Sequence, residues 1–147
     1  MATTTGKERA ASRTPGPATT TGKLGGIDAA ATVAVKDLKK AREFYEGKLG
    51  LAVIGTEGEE VVVYQTGKSS LMVYVSQFAG TNKATGVTWV VGNQLEDLVE
   101  SLKGAGVRFE HYDLPGTTRQ GDIHGAGNTR VAWFKDPDGN IISLVNG

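Results

Sequence analysis

One pattern runs through this sequence twice, and that repetition limits the fold more than any other feature. Residues 29–35 (AAATVAV) form a short β-branched run ending in Lys36-Asp37, where an aspartate can accept from the first free N–H groups of a helix. Leu38, Ala41, Phe44, Tyr45 and Leu49 then recur at helical spacing, and Gly50 follows where a left-handed residue ends a helix. Strands are predicted at 51–56, 60–66 and 70–76, broken into two hairpins by Gly58 and by Gly67-Lys68. The order then restarts. Residues 86–91 (GVTWVV) read as a strand, and Asn93 with Glu96 resembles a capping box. Leu95, Leu98, Val99, Leu102 and Ala105 make a second apolar stripe that stops at Gly106. Strands at 107–112, 130–135 and 140–145 follow, with a long loop over 113–129 and a turn at Asp136-Pro137-Asp138-Gly139. Val35 and Val91, Asp37 and Asn93, and Gly50 and Gly106 each lie about 56 positions apart. The pattern is βαβββ, written twice.

Composition narrows what such a fold can do. The chain has 147 residues, enough for one ordinary domain. Its 16 basic and 16 acidic side chains cancel, which argues against nucleic acid as a partner, because neutralising phosphates needs a surplus of cations. The absence of cysteine excludes disulfides, thiolate metal sites and a cysteine nucleophile. No apolar run reaches the length that crosses a membrane as a helix. Residues 1–26 are mostly Thr, Ala, Gly and Pro and bury too little to offset their ordering entropy, so they are expected to form a disordered arm. That arm lacks the apolar core of a secretory signal, and a cytoplasmic location is expected. Residues 27–147 are the expected folded domain, with repeat one at about 27–80 and repeat two at about 84–147.

Two segments carry a family resemblance. One runs from Val35-Lys36-Asp37-Leu38 through Phe44-Tyr45 to Leu49-Gly50-Leu51; the other is Trp133-Phe134-Lys135-Asp136-Pro137-Asp138-Gly139-Asn140. In this order, around an internal repeat, they resemble the vicinal oxygen chelate superfamily. That superfamily includes glyoxalase I, bleomycin-resistance proteins, fosfomycin-resistance enzymes and extradiol dioxygenases. The resemblance implies an α+β fold in which paired βαβββ modules form a curved mixed sheet, with helices on the convex face and ligand on the concave face. It also implies a homodimer. Metal-dependent members usually carry a His, Gln or Glu seven places before each helix-start residue, and a Glu three places beyond the Asn of the D-P-x-G-N turn. Those places hold Ala30, Gly86 and Ser143 here, with Met72 or Tyr74 in the region of a further ligand. Side chains of Ala and Gly offer no donor to a divalent cation, so neither a metal nor any other cofactor is expected.

The expected site is therefore a pocket for a small organic molecule. Pleat alternation puts Ala30, Thr32 and Ala34 with Gly86, Thr88 and Val90 on one face, which the resemblance makes the cavity face. Small side chains there leave room for a ligand. The expected ligand contacts are Thr32, Tyr74, Thr88, Tyr112, His124, Arg130, Trp133 and Ser143, with Phe134 a further candidate for an aromatic wall. The enzyme alternative is a lyase, isomerase or hydrolase acting on a small oxygenated substrate. In it His124 moves the proton and Asp122 orients the ring, the two sharing a direction in an extended loop. Glu110 and His111 alternate across a strand, which disfavours their joint action on a metal.

Overall fold

A computed structural model describes residues 24–147. The arm expected at 1–26 falls outside the described residues up to position 23; Leu24 to Ile27 form a turn closed by Ile27 N–H on the Leu24 carbonyl at 3.1 Å. Repeat one contains β1 (Ala31–Val35), α1 (Leu38–Arg42), a π-helical turn (Glu43–Lys48), β2 (Ala52–Glu57), β3 (Val61–Thr66) and β4 (Ser69–Val75). In repeat two come β5 (Thr85–Val90), a 3₁₀ turn (Gly92–Gln94), α2 (Leu95–Gly104), β6 (Phe109–Glu110), β7 (Thr118–Gln120), β8 (Ile123–Ala126), β9 (Thr129–Lys135) and β10 (Ile141–Val145).

The helix starts and stops mostly follow the local chemistry. Asp37 caps α1 by accepting from Lys40 N–H at 3.2 Å. The helix then widens, and Leu49 N–H reaches back five residues to the Phe44 carbonyl at 3.0 Å, within a turn that buries both Phe44 and Tyr45. Gly50 and Gly106 end the helical segments with φ of +74° and +94°, a region that glycine enters without a Cβ penalty. The capping box does not form: Asn93 sits in the 3₁₀ turn, and Gln94 precedes α2 without a side-chain cap.

In the first sheet the order is β1-β4-β3-β2, with β1 parallel to β4 and the other pairs antiparallel. The second runs β5-β10-β9-β8-β7, again with a parallel first pair. β6 and β8 both pair with β9, one beside Phe134 and Trp133, the other beside Val131 to Thr129. The loop expected at 113–129 is thus largely the β7–β8 hairpin, and the strand expected at 107–112 shortens to Phe109–Glu110. Each change has one cause: β9 is long enough to accept two successive partners along one edge.

Alternation assigns the faces. Val33, Val35, Val62, Tyr64, Leu71, Val73, Ala132, Phe134, Ile142 and Leu144 point to the helices and join Ala41, Phe44, Tyr45, Leu95 and Val99 in one core. Their neighbours, Thr32, Ala34, Tyr74, Gly86, Thr88, Trp133 and Ser143, therefore lie on the helix-free face. β1 and β5 run side by side at the junction of the repeats, and among the described residues no ladder joins them.

The turn at Asp136 ties the repeats together across this junction. The Asp136 carboxylate is 5% exposed and accepts from Tyr45 Oη at 2.8 Å, Asn140 Nδ2 at 2.8 Å and the backbone N–H groups of Asp138 and Asn140 at 2.9 Å. Asn140 Nδ2 also donates to the Ala34 carbonyl at 2.8 Å, and Lys36 N–H donates to Asp138 Oδ2 at 3.0 Å. The two most recognisable stretches of sequence meet in a single polar staple.

Candidate functional site

The unjoined edges of β1 and β5 leave a cavity of about 350 Å³ on the helix-free side of the seam. Thr32, Ala34, Tyr74, Phe78, Gly86 and Asn140 line it. Its room comes from sequence: Ala34 is small, and a Cβ added at Gly86 would meet only the Ile141 carbonyl at 3.8 Å. Gly80 closes one side, with φ of +76° and its backbone packed so tightly on the Asp138 carbonyl that a Cβ would lie 2.2 Å from that oxygen. Thr88 borders a separate recess of about 310 Å³ at the other end of the seam.

The remaining expected residues divide into three groups. Trp133, Tyr112 and His124 form a packed aromatic cluster on the helix-free side of repeat two. The His124 and Trp133 rings meet edge-on at 4.9 Å, and Tyr112 and Trp133 at 5.3 Å. Ser143 is buried beside them on β10, sharing a 2.8 Å hydrogen bond with Thr88 Oγ1. Arg130 lies elsewhere. It alternates to the helix side of β9, where its guanidinium pairs with Glu96 of α2 at 2.5 Å, so it supplies no anchor on the cavity face. Phe134 also points to the helix side, where it is core, 1% exposed, and walls no pocket on the cavity face.

The expected His124–Asp122 pair is not formed. Asp122 takes His111 Nε2 at 2.7 Å and Lys103 Nζ at 2.8 Å, which clamps the β7–β8 hairpin to β6 and α2. Those hydrogen bonds, Lys103 first and His111 second, hold its carboxyl below the usual aspartate range. His124 is 1% exposed, and its Nε2 accepts from Tyr112 N–H at 2.9 Å. Burial, then the nearby His111, pushes its pKa down, so the ring is neutral and its proton sits on Nδ1. The Val131 backbone favours the protonated ring, while Nδ1 and the buried Tyr112 Oη have no hydrogen-bond partner among the described residues. Asp122 paired with the other histidine because the hairpin carries it alongside β6, a neighbour that an extended loop would not give it.

Sequence reasoning missed Phe78, Thr81, Asn82 and Asn140 as cavity residues. The usable signal was an aromatic residue, Phe78, standing alone in the turn-rich linker between the repeats. Divalent metals find no fit at the positions the resemblance indicates. Ala30 and Gly86 have no side-chain donor atom, and the Ser143 hydroxyl is held by Thr88. Among the described residues, no three His, Cys, Asp or Glu side chains are grouped to hold a metal ion, and no helix is long and apolar enough to cross a membrane.

Residues 26–144 match the family model for the Glyoxalase/Bleomycin resistance protein/Dioxygenase superfamily. Comparison with curated proteins gives no match. Among solved structures, a glyoxalase/bleomycin resistance protein/dioxygenase from Alicyclobacillus acidocaldarius is similar over 82% of this chain and 90% of its own, with 16% identity and a TM-score of 0.61. A lactoylglutathione lyase from Agrobacterium tumefaciens matches over 82% and 92%, with 14% identity and a TM-score of 0.59. The fosfomycin resistance protein FosX from Mesorhizobium loti matches over 81% and 90%, with 12% identity and a TM-score of 0.59. At these identities the likeness is one of fold.

Proposed function

This chain belongs to the glyoxalase/bleomycin resistance protein/dioxygenase superfamily, and from that membership we propose that it binds a small organic molecule in the seam cavity without a divalent metal. The observation that carries the reading is the cavity itself. It opens at Gly86, where a metal-dependent relative would place a ligand atom, and small side chains leave about 350 Å³ of space on the face that the helices do not cover. The chemistry of the donors supports the metal-free part, since neither Ala30 nor Gly86 has a side-chain donor. Metal analysis of protein purified from medium supplemented with zinc, nickel, manganese and iron tests it. Substoichiometric metal is the expected result, and one bound ion per chain overturns the reading.

A cytoplasmic homodimer completes the proposal. Exposed apolar residues on or beside the helix-free face, Val90 at 53% and Phe78 at 68%, support a second copy packing near the cavity. Sedimentation at micromolar concentration should give twice the 15.4 kDa chain mass; a monomer removes this part.

The enzyme reading now rests on a different pair. His111 and Asp122 have the geometry of an oriented acid–base couple at 2.7 Å, and a lyase, isomerase or hydrolase would use the ring's other nitrogen. Neither residue lines the seam cavity, which is why binding is the leading reading. Unchanged turnover in His111→Ala, on an identified substrate, removes the alternative.

A further inference from the structure

The polar atoms of the seam cavity specify what it holds. Asn140 Nδ2 donates to the Ala34 carbonyl and to Asp136 Oδ2, both at 2.8 Å. Both partners are acceptors, so the amide is fixed with its nitrogen toward them, and both of its protons are used. Asn140 lines the cavity, and no donor among the described residues takes its Oδ1. Asn140 Oδ1 is thus an oriented acceptor on a residue of the cavity wall, and it cannot turn over to become a donor.

Its surroundings reinforce that polarity. The Asp136 carboxylate lies directly behind the same amide, and Asp138 Oδ2 is engaged by Lys36 N–H in the same turn. No described residue of the lining is Lys, Arg or His. Thr32 Oγ1, Thr81 Oγ1 and Asn82 are turned to backbone partners, Thr32 to the Ala30 carbonyl at 3.5 Å, Thr81 to the Phe78 carbonyl and Asn82 to Ala84. The apolar part of the lining combines aliphatic residues, among them Ala34, Val87 and Ile141, with two open rings: Tyr74, whose hydroxyl is a further polar group, is 37% exposed and Phe78 is 68% exposed.

Building on the cavity reading above, we propose that the seam cavity selects an uncharged aromatic molecule bearing a hydroxyl or amide N–H, which lies against Tyr74 and Phe78 and donates to Asn140 Oδ1. An anion would meet a lone pair and nearby carboxylates with no cation in the described lining to offset them. A neutral ring with one donor satisfies the free acceptor and covers the exposed aromatic surface.

The test is a titration of the ¹⁵N-labelled full chain at pH 7 with phenol, anisole and benzoate, following backbone amide shifts. Phenol is neutral and donates, anisole is nearly its shape without the donor, and benzoate is its anionic counterpart. Phenol should shift the amides of Thr81, Asn82 and Gly86 and bind several-fold tighter than anisole, about the factor one neutral hydrogen bond supplies. Benzoate should bind on the order of tenfold more weakly than phenol or worse. Phe78→Ala removes an exposed ring that the core does not need, and it should weaken phenol several-fold in a protein that remains folded. Benzoate binding as tightly as phenol, or anisole matching phenol, overturns the ligand class while leaving the cavity as a binding site. Shifts confined to other parts of a folded protein, or none with any probe, overturn the binding reading and this inference with it.

Discussion

Tyr45→Phe tests the staple that joins the two repeats. Tyr45 is 0% exposed, and its ring packs edge-on against Phe44 at 5.1 Å and stacks on Tyr64 at 5.9 Å, contacts that phenylalanine retains. Only the hydroxyl is lost, and with it one of four hydrogen bonds to the Asp136 carboxylate. A hydrogen bond to a charged group contributes roughly 1.5–3 kcal/mol. With three donors remaining on a buried carboxylate, the expected loss is about 2 kcal/mol. For a domain of this size that lowers Tm by roughly 6–10 °C. Guanidinium denaturation should show the midpoint falling at unchanged slope, because the surface exposed on unfolding is the same. Repeating the substitution in an Asp136→Asn background isolates the pair, and a coupling of roughly 1 kcal/mol or more is expected. A loss under about 0.5 kcal/mol, or additive effects in the cycle, would refute the staple.

Two further outcomes follow from geometry. His124 should appear by ¹H–¹⁵N correlation as the Nδ1–H tautomer, titrating below the ordinary value near ~6.5, since burial and His111 both disfavour its charge. Its folded pKa lies below its unfolded one, so its contribution to stability is present above pH ~6.5 and is lost as pH falls through the folded value. His124→Gln should flatten that part of the stability–pH curve; an Nε2–H tautomer contradicts the assignment. Gly80→Ala should cost clearly more than Gly106→Ala in thermal melts. Both positions have positive φ, but the new Cβ at 80 strikes a backbone carbonyl at 2.2 Å, whereas at 106 it meets only the flexible Lys48 Nζ at 3.5 Å. Equal losses would show that the carbonyl at 138 yields freely.

Features carried by neighbouring residues were legible in the chain. Asp37 caps α1 and Gly50 and Gly106 end their helical segments as the sequence predicts, because caps and left-handed residues act over one turn. The exceptions are local signals that lost to packing. Asn93 and Glu96 have capping-box spacing, yet the chain makes a 3₁₀ turn there and Glu96 pairs with Arg130 instead. That pairing also takes Arg130 away from the cavity, a result that follows from its parity along β9 and from which residue of α2 lies opposite.

The βαβββ order of the first repeat, the strand-then-helix restart of the second and the small residues at Ala34 and Gly86 were set by the sequence itself, since hydrophobic period and glycine placement constrain the backbone directly. Which histidine meets Asp122, and which residues surround the cavity, were decided only in three dimensions. His111 meets Asp122 because a hairpin folds back beside β9. Asn140 reaches the seam because the Asp136 turn crosses from repeat two to the backbone of repeat one. Contacts between residues far apart in the chain depend on register and on the meeting of sheet edges, and no spacing within a single element encodes either.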